Sequence, residues 1–194
     1  MVMVDIHCHI LPGLDDGARN IEESIQMAKM AVSDGITDVI ATPHTHNGIY
    51  LNHFAAVSES ASLLQAELEK QKIPLHIHRG SEVHIHAELC QNLQQKMVPT
   101  LGNTAYVLVE LPSSSIPIFT DKVLGRLVNE KFTPIIAHPE RNLIIQDNPM
   151  LLIKWRSCGI IVQITAGSLL GSWGIKGKQF SRQLIKWGLV QVLA

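Results

Sequence analysis

The sequence predicts an α/β protein built around a parallel sheet, and three observations support this class. Short apolar runs rich in β-branched residues alternate with longer amphipathic segments along the whole chain. Most of these runs are apolar throughout, as in strands that are buried on both faces. Polar groups able to do chemistry recur just after the runs. No linker or low-complexity tract divides the 194 residues, so we predict a single domain over residues 1–194.

Seven segments have the composition of strands and six have the periodicity of helices. The predicted strands are Val2–Ile6, Thr37–Ala41, Leu75–Ile77, Ala105–Glu110, Thr133–Ala137, Ile160–Ile164 and Leu189–Leu193. The predicted helices are Ile21–Ser33, Phe54–Gln71, Ala87–Met97, Phe119–Lys131, Met150–Cys158 and Gln179–Trp187. The first helix has the clearest ends, because Asn20 and Glu23 have the spacing of a capping box and Gly35 follows its last turn.

The composition excludes several classes of protein. An apolar content of 46% with 17% charged residues is typical of a compact folded chain. The net charge of −1 gives no electrostatic footprint for nucleic acid or an acidic membrane surface. Cys8, Cys90 and Cys158 form no disulfide pattern, which favours the cytoplasm. No signal peptide or bilayer-length apolar run is present, so we expect no membrane insertion.

A metal-ligating pattern lies at the end of the first predicted strand. The run Asp5-Ile6-His7-Cys8-His9 places His7 and His9 on one face, because alternate side chains of a strand share a face. Two imidazoles beside a carboxylate suit Zn, Mn or Fe. Alone, the pattern is equally consistent with two surface histidines.

Further polar groups follow the next four strands, and their placement favours one architecture. A doubly wound sheet would carry a glycine-rich turn after its first strand, whereas a (β/α)8-type barrel places functional groups after several strands. Five successive strands each deliver a histidine or a carboxylate at the same end, so we predict a barrel. The groups after strands one to five are His7, His9, Asp15, Asp16, His44, His46, Glu82, Glu110, His138, Glu140 and Arg141.

Several of these residues also have an ordinary structural explanation. Asp15 and Asp16 are common turn formers beside Gly17. Glu82 and Glu110 are stronger ligand candidates, because a lone carboxylate at the end of an apolar run is costly unless it is paired or bound to metal. Arg141 suits either a salt bridge or an anionic substrate.

Other histidines and one cysteine are assigned no role at the site. We expect His76 and His78 to be hydrogen-bonded barrel residues, and His84 and His86 to lie on the following loop. Cys8 is not the nucleophile of a cysteine-dependent phosphatase, because Leu14 stands where that motif needs an arginine. A buried packing thiol is the better interpretation of Cys8.

Seven motifs in the right order resemble the PHP (polymerase and histidinol phosphatase) superfamily. They are Asp5–Pro12, Asp15–Gly17, Ala41–His44, Gly80–Glu82, Glu110–Pro112, Ala137–Asn142 and Gln163–Ser168. Within the superfamily, the chain most resembles the CpsB/CapC/YwqE group of bacterial manganese-dependent protein-tyrosine phosphatases. The resemblance implies a distorted (β/α)7 TIM-like barrel with a trinuclear metal centre.

The resemblance also implies a ligand set, a metal and a reaction. The implied ligands are His7, His9, Asp16, His44, Glu82, Glu110 and His138. Mn²⁺ is the expected ion, two or three per site, with Fe, Zn, Co or Mg as alternatives. Glu110 would bridge metals, and Arg141 would contact the phosphate beside His138. A metal-bridged hydroxide would attack phosphorus without a covalent phosphoenzyme. The implied substrate is phosphotyrosine on the tail of a bacterial tyrosine kinase that controls capsule or exopolysaccharide export.

One departure from the family keeps three functions open. In the family, the last barrel strand runs into a Ser-Asp-x-His motif that supplies two more metal ligands, followed by further helices. This sequence ends at Val192-Leu193-Ala194, where that motif would begin. We therefore expect a domain that lacks its last helices. It is a tyrosine phosphatase, a phosphatase of small esters such as histidinol phosphate, or an inactive metal-binding fragment.

Overall fold

The computed structural model describes residues 3–194, and these form two compact units. The first unit comprises residues 3–83 together with Gln91–Ala105. The second comprises His84–Cys90 and Tyr106–Ala194. Both are parallel α/β structures, so the predicted α/β class with parallel strands is confirmed.

The first unit is a three-stranded parallel sheet with two helices and a short strand pair. Its elements are β1 (Val4–Cys8), α1 (Ile21–Ser33), β2 (Asp38–Ala41), β3 (His44–Thr45), α2 (Phe54–Lys70) and β4 (His76–Arg79). The sheet has the order β1-β2-β4. β3 pairs in parallel with β5 (Glu82–His84), in a register that sets His44 opposite Glu82. β5 and α3 (Leu89–Gln94) carry the chain between the units.

Packing of α1 and α2 onto the sheet builds the core of this unit. Ala28, Val39, Leu64 and Leu68 are all fully buried there. Asn20 caps α1 as predicted, since its Oδ1 accepts a hydrogen bond from the N–H of Glu23 at 2.9 Å. The capping box is not reciprocal, because the Glu23 carboxylate accepts instead from the backbone N–H of Arg19 at 2.8 Å and from its guanidinium.

The second unit is a four-stranded parallel sheet with the order β6-β7-β8-β9. Its strands are β6 (Tyr106–Glu110), β7 (Thr133–Ala137), β8 (Ile161–Ile164) and β9 (Val192–Leu193). Its helices are α4 (Thr120–Asn129), α5 (Leu143–Asp147), α6 (Met150–Ser157), α7 (Ala166–Leu170) and α8 (Gly174–Lys186). Because all four strands run the same way, their carboxyl ends share one edge, where Glu110 and His138 lie.

All seven predicted strands have a counterpart; Thr133–Ala137 has the predicted ends, and the other six are shifted at one or both ends. Val2, part of the first prediction, lies outside the described residues. The structure adds β3 and β5, which are too short to give a periodic signal. α8 begins five residues before the predicted Gln179, at Gly174, and it includes the buried Gly177 despite the poor helix propensity of glycine. Within residues 3–194, no helix is both long enough and apolar enough to cross a bilayer.

Histidines outside the predicted ligand set fall in two places. His76 and His78 lie on β4 with exposed side chains, and His78 Nε2 is 2.8 Å from Asp38 Oδ1. The prediction of a loop position was wrong for His84, which is the last residue of β5. His86 does lie on the loop that follows.

Candidate metal centre

Two imidazole nitrogens converge on a buried carboxylate in the first unit. Glu82 Oε2 lies 3.1 Å from His7 Nε2 and 3.3 Å from His9 Nε2, and the two nitrogens are 3.3 Å apart. Glu82 is fully buried. His7 lies in β1 and His9 directly follows the strand, two residues later, and their ring nitrogens meet on the same side, as predicted. The chain therefore places two imidazoles and a carboxylate around one point.

The spacing of these three atoms fits a divalent cation. Ions such as Zn²⁺ and Mg²⁺ bind nitrogen or oxygen at about 2.0–2.2 Å, which puts neighbouring ligand atoms about 3 Å apart. A buried carboxylate also needs a cationic partner to offset its lost hydration. Imidazole and carboxylate together are a donor set that first-row divalent metals accept. The residues present thus fit a metal in both geometry and chemistry.

His44 and Asp16 extend the cluster. The β3–β5 register brings His44 Nδ1 within 3.1 Å of Glu82 Oε2. His44 Nε2 lies 3.7 Å from Asp16 Oδ1, and the side chain of Asp16 is 66% exposed. Ligand atoms of His9, Asp16 and His44 all lie within 4.8 Å of one another. This second group shares His9 with the first and reaches the protein surface at Asp16.

Asp15 orients this cluster by contacting His9 through the ring nitrogen that does not face Glu82. Its Oδ2 is 2.6 Å from His9 Nδ1 and accepts from the backbone N–H of His44 at 2.9 Å, while its Oδ1 accepts from the N–H of Gly17 at 3.0 Å. Burial opposes ionisation of this carboxyl, but its bonds to His9 and the backbone hold its pKa below the usual range. With Nδ1 bound to Asp15, the ring directs Nε2 at Glu82. Such carboxylate–histidine pairs fix the tautomer and direction of metal-ligating imidazoles.

Burial and hydrogen bonding act in opposite directions on His9. Burial lowers the pKa of His9, whereas its hydrogen bonds to Asp15 and Glu82 raise it, with a net rise to about 10. The carboxylates around this imidazole therefore create a site of strong negative potential. A cation is the ligand that such a potential favours.

Gly17 makes the Asp15–Gly17 turn possible. A Cβ at this position would lie 2.0 Å from the carbonyl oxygen of His9 and 2.4 Å from its Cβ. The loop also closes through a hydrogen bond from the N–H of Ala18 to the same oxygen at 3.0 Å. Both residues have the composition of turn formers, and a ligand role was predicted for Asp16 alone. The structure separates them: Asp15 is buried and supports His9, whereas Asp16 faces His44.

Cys8 sits between the two histidines but on the other side of the strand. Burial raises the pKa of its thiol to about 12, and the nearby Asp5 and Asp15 act in the same direction. A thiol is nucleophilic as the thiolate. Cys8 is thus protonated at neutral pH, in agreement with a packing role.

Two predicted ligands lie close together in the second unit. Glu110 ends β6, and His138 follows β7 with a left-handed backbone at φ 31°. His138 Nε2 is 4.0 Å from Glu110 Oε1. His84 Nδ1 is 3.4 Å from the other oxygen of Glu110, a neighbour that sequence reasoning did not assign to the site.

Arg141 lies in the turn that follows His138. Its Nη2 donates to Thr165 Oγ1 at 3.2 Å, and its guanidinium carbon lies 4.0 Å from the centre of the Trp173 ring. The fully buried Glu140 accepts hydrogen bonds from the N–H and hydroxyl of Thr165. Trp173 was not singled out by the sequence, because it lies outside every motif and meets Arg141, 32 residues earlier in the chain, only through the fold.

Comparison with known proteins agrees on one family. Residues 3–194 match the family described as capsular polysaccharide synthesis, CpsB/CapC. Tyrosine-protein phosphatase YwqE of Bacillus subtilis is 44% identical over 192 residues, which cover 99% of this chain and 76% of YwqE. Putative tyrosine-protein phosphatase CapC of Staphylococcus aureus is 36% identical over 99% of this chain and 75% of its own.

A solved structure supports the same assignment. It comes from a crystallographic study of YwqE from Bacillus subtilis and CpsB from Streptococcus pneumoniae, described as unique metal-dependent tyrosine phosphatases. The match has a TM-score of 0.95 at 44% identity and covers 99% of this chain and 78% of the solved chain. Sequence and fold lead to the same conclusion: the chain belongs to the CpsB/CapC family.

Proposed function

We propose that this protein is a metal-dependent protein-tyrosine phosphatase. The observation that carries the proposal is the convergence of His7 Nε2, His9 Nε2 and Glu82 Oε2 at 3.1–3.3 Å. Relatives at 44% and 36% identity bear the name tyrosine-protein phosphatase. The same donor set would serve other metallohydrolases, so the relatives supply the substrate class and the cluster supplies the chemistry.

We propose His7, His9, Asp16, His44, Glu82, Glu110 and His138 as the metal ligands. The first five are supported by their clustering in the first unit. Glu110 and His138 are supported by the resemblance of their motifs to the family. We propose Mn²⁺ as the ion, two or three per molecule, because mixed carboxylate and imidazole ligands without thiolate suit it. Fe, Zn, Co and Mg are the alternatives to test.

Bound metal ions would lower the pKa of water and neutralise charge on the phosphate. The remaining steps would be carried out by side chains of the protein. Arg141 would bind two phosphate oxygens through its planar guanidinium and stabilise the charge that develops on them. Asp15 would keep His9 in one tautomer. Cys8, with a pKa of about 12, would form no phosphocysteine, so hydrolysis would proceed without a covalent intermediate.

The proposed substrate is a protein that carries phosphotyrosine. We propose the tail of a bacterial tyrosine kinase, acting in capsule or exopolysaccharide production, because the family description concerns capsular polysaccharide synthesis. We propose the cytoplasm as the compartment, on the composition of the sequence. We also propose that residues 1–194 belong to one distorted (β/α)7 barrel domain, as the family resemblance implies.

Metal analysis and a paired phosphatase assay test this function. The purified chain should contain a divalent metal and release phosphate from a phosphotyrosine peptide faster than from histidinol phosphate. EDTA should abolish turnover, and Mn²⁺ should restore it. His9→Ala should lose both metal and activity, whereas His53→Ala should lose neither, because His53 is exposed at the start of α2.

Three results would contradict the proposal. Faster turnover of histidinol phosphate would indicate a small-molecule phosphatase. Bound metal without turnover of either substrate would indicate an inactive metal-binding protein. Activity that survives EDTA and depends on Cys8 would exclude metal chemistry altogether.

A further inference from the structure

Trp173 is an exposed aromatic side chain placed against the one arginine that the proposed function uses. It is 57% exposed, and its ring centre lies 4.0 Å from the guanidinium carbon of Arg141. Leu170 and Ile175, three residues before and two after it, are also exposed. An exposed tryptophan on its own needs no explanation. A tryptophan that packs against the proposed substrate-binding arginine, Arg141, amid exposed apolar residues does need an explanation.

The backbone holds Trp173 in a defined position. Gly171 and Gly174 flank the segment with left-handed φ values of 100° and 82°, which glycine adopts without strain. The N–H of Ser172 donates to the carbonyl of Gly167 at 2.9 Å, and that of Gly174 to the carbonyl of Gly171 at 3.0 Å. The ring is thus carried on a hydrogen-bonded turn between α7 and α8.

Arg141 is fixed from a second direction by Thr165. The hydroxyl of Thr165 accepts from Nη2 of Arg141 at 3.2 Å and lies 3.3 Å from Glu140 Oε1. The backbone N–H of Thr165 donates to the same carboxylate oxygen at 3.1 Å. Thr165 therefore holds one edge of the guanidinium, and the guanidinium carbon lies over the Trp173 ring.

This arrangement determines where an anion can bind. The N–H groups of a guanidinium lie in its plane. When one face is stacked on an indole, the hydrogen bonds point outward, past the edge of the indole ring. A phosphate bound to Arg141 would thus lie beside Trp173, and the group esterified to it would meet the exposed aromatic and apolar surface there.

We propose that Trp173 determines the preference of this enzyme for aryl phosphates. Trp173 positions the Arg141 guanidinium and contacts the aromatic ring of phosphotyrosine. This inference rests on the proposed function, and it names the residue that would select aryl phosphates as substrates. An aromatic pair is expected to improve binding of an aryl ligand about two- to tenfold. Phosphoserine and phosphothreonine have no ring and would gain nothing from the contact.

Two phosphonates measure this preference without turnover. Phenylphosphonate and methylphosphonate carry the same anionic group and differ in the ring. Their dissociation constants, measured by calorimetry on the Mn²⁺-loaded protein, give a preference ratio for phenyl over methyl. Trp173→Leu should lower that ratio about two- to tenfold, whereas Trp173→Phe should retain it. Trp187→Leu is the matched control, because Trp187 is 47% exposed and lies at the other end of α8.

The outcomes separate specificity from general damage. A Trp173→Leu protein that keeps the wild-type ratio overturns the inference, and so does an equal loss in Trp187→Leu. A structural defect alone would weaken the binding of both phosphonates by the same factor, and the preference ratio would stay unchanged. Turnover of a phosphotyrosine peptide is measured separately. If the wild-type protein has no turnover but its preference ratio still depends on Trp173, the phosphatase proposal is contradicted, whereas recognition of the aromatic ring by Trp173 is supported.

A fluorescence titration tests the inference even if the leucine variant does not fold. Phenylphosphonate should quench the tryptophan emission of the wild-type protein, because the ligand ring would contact Trp173 directly. Trp173→Phe should bind phenylphosphonate with little change in affinity and lose the quench. A quench of equal size in Trp173→Phe would overturn the inference.

Discussion

Replacing Asp15 with asparagine should weaken metal binding while the first unit stays folded. The Asp15 carboxylate accepts from His44 N–H at 2.9 Å and from Gly17 N–H at 3.0 Å, and its Oδ2 lies 2.6 Å from His9 Nδ1. Asparagine has the same shape but only one oxygen, and its NH2 group would face one of these donors. It would also remove the charge that fixes the tautomer of His9.

The size of the effect follows from these contacts. Loss of one backbone hydrogen bond costs about 1 kcal/mol of folding stability, which the unit should tolerate. Loss of a carboxylate behind a ligating histidine typically weakens metal binding about 10- to 100-fold. That factor corresponds to about 1.4–2.7 kcal/mol of binding free energy.

Competition with a chromogenic chelator measures the affinity for Mn²⁺, and thermal unfolding of the EDTA-treated protein measures folding separately. Asp34→Asn is the matched control, because Asp34 is an exposed aspartate at the end of α1. An Asp15→Asn protein that binds Mn²⁺ as tightly as the wild type would refute the reasoning. Asp15 would then be only a turn former.

Three further substitutions test other parts of the structure. Gly17→Ala should cost several-fold in Mn²⁺ affinity and lower the melting temperature, because the added Cβ would lie 2.0 Å from the carbonyl oxygen of His9; an unchanged melt would contradict this. Gly125→Ala, in α4 with no atom within 4 Å of the new Cβ, should instead raise stability by about 0.5–1 kcal/mol in urea unfolding. Cys8→Ala should retain kcat in the phosphatase assay, since the thiol is protonated at neutral pH, and a large loss of kcat would point to a chemical role.

The placement of His7, His9 and Glu82 could be predicted because it depends on local rules. Alternation along a strand puts His7 and His9 on one side, and a carboxylate that ends an apolar run needs a partner. Parallel strands then bring their carboxyl ends to a common edge. These rules need no knowledge of loop conformation, so sequence was sufficient for this group.

The role of Asp15 as the hydrogen-bond partner of His9 could not be predicted, although a ligand role for Asp16 was. The two residues are identical in type and adjacent, and their roles depend on how the turn folds against the carbonyl of His9. The pairing of Arg141 with Trp173 was equally inaccessible, since it depends on how the turn before α8 packs. Gly17 offers a clue, because glycine is the residue that permits a close approach of two backbone segments.

The cluster around Glu82 draws its side chains from residues 7–16, from β3 and from β5, and β3 and β5 lie far from residues 7–16 in the sequence. An ion held there would act as a reversible cross-link that closes long loops of the unfolded chain, much as a disulfide does. A ligand that binds only the folded state stabilises it more as the ligand concentration rises above the dissociation constant. Metal starvation would therefore shift molecules toward unfolded forms that proteases degrade. The cellular abundance of this protein would then follow the concentration of available metal.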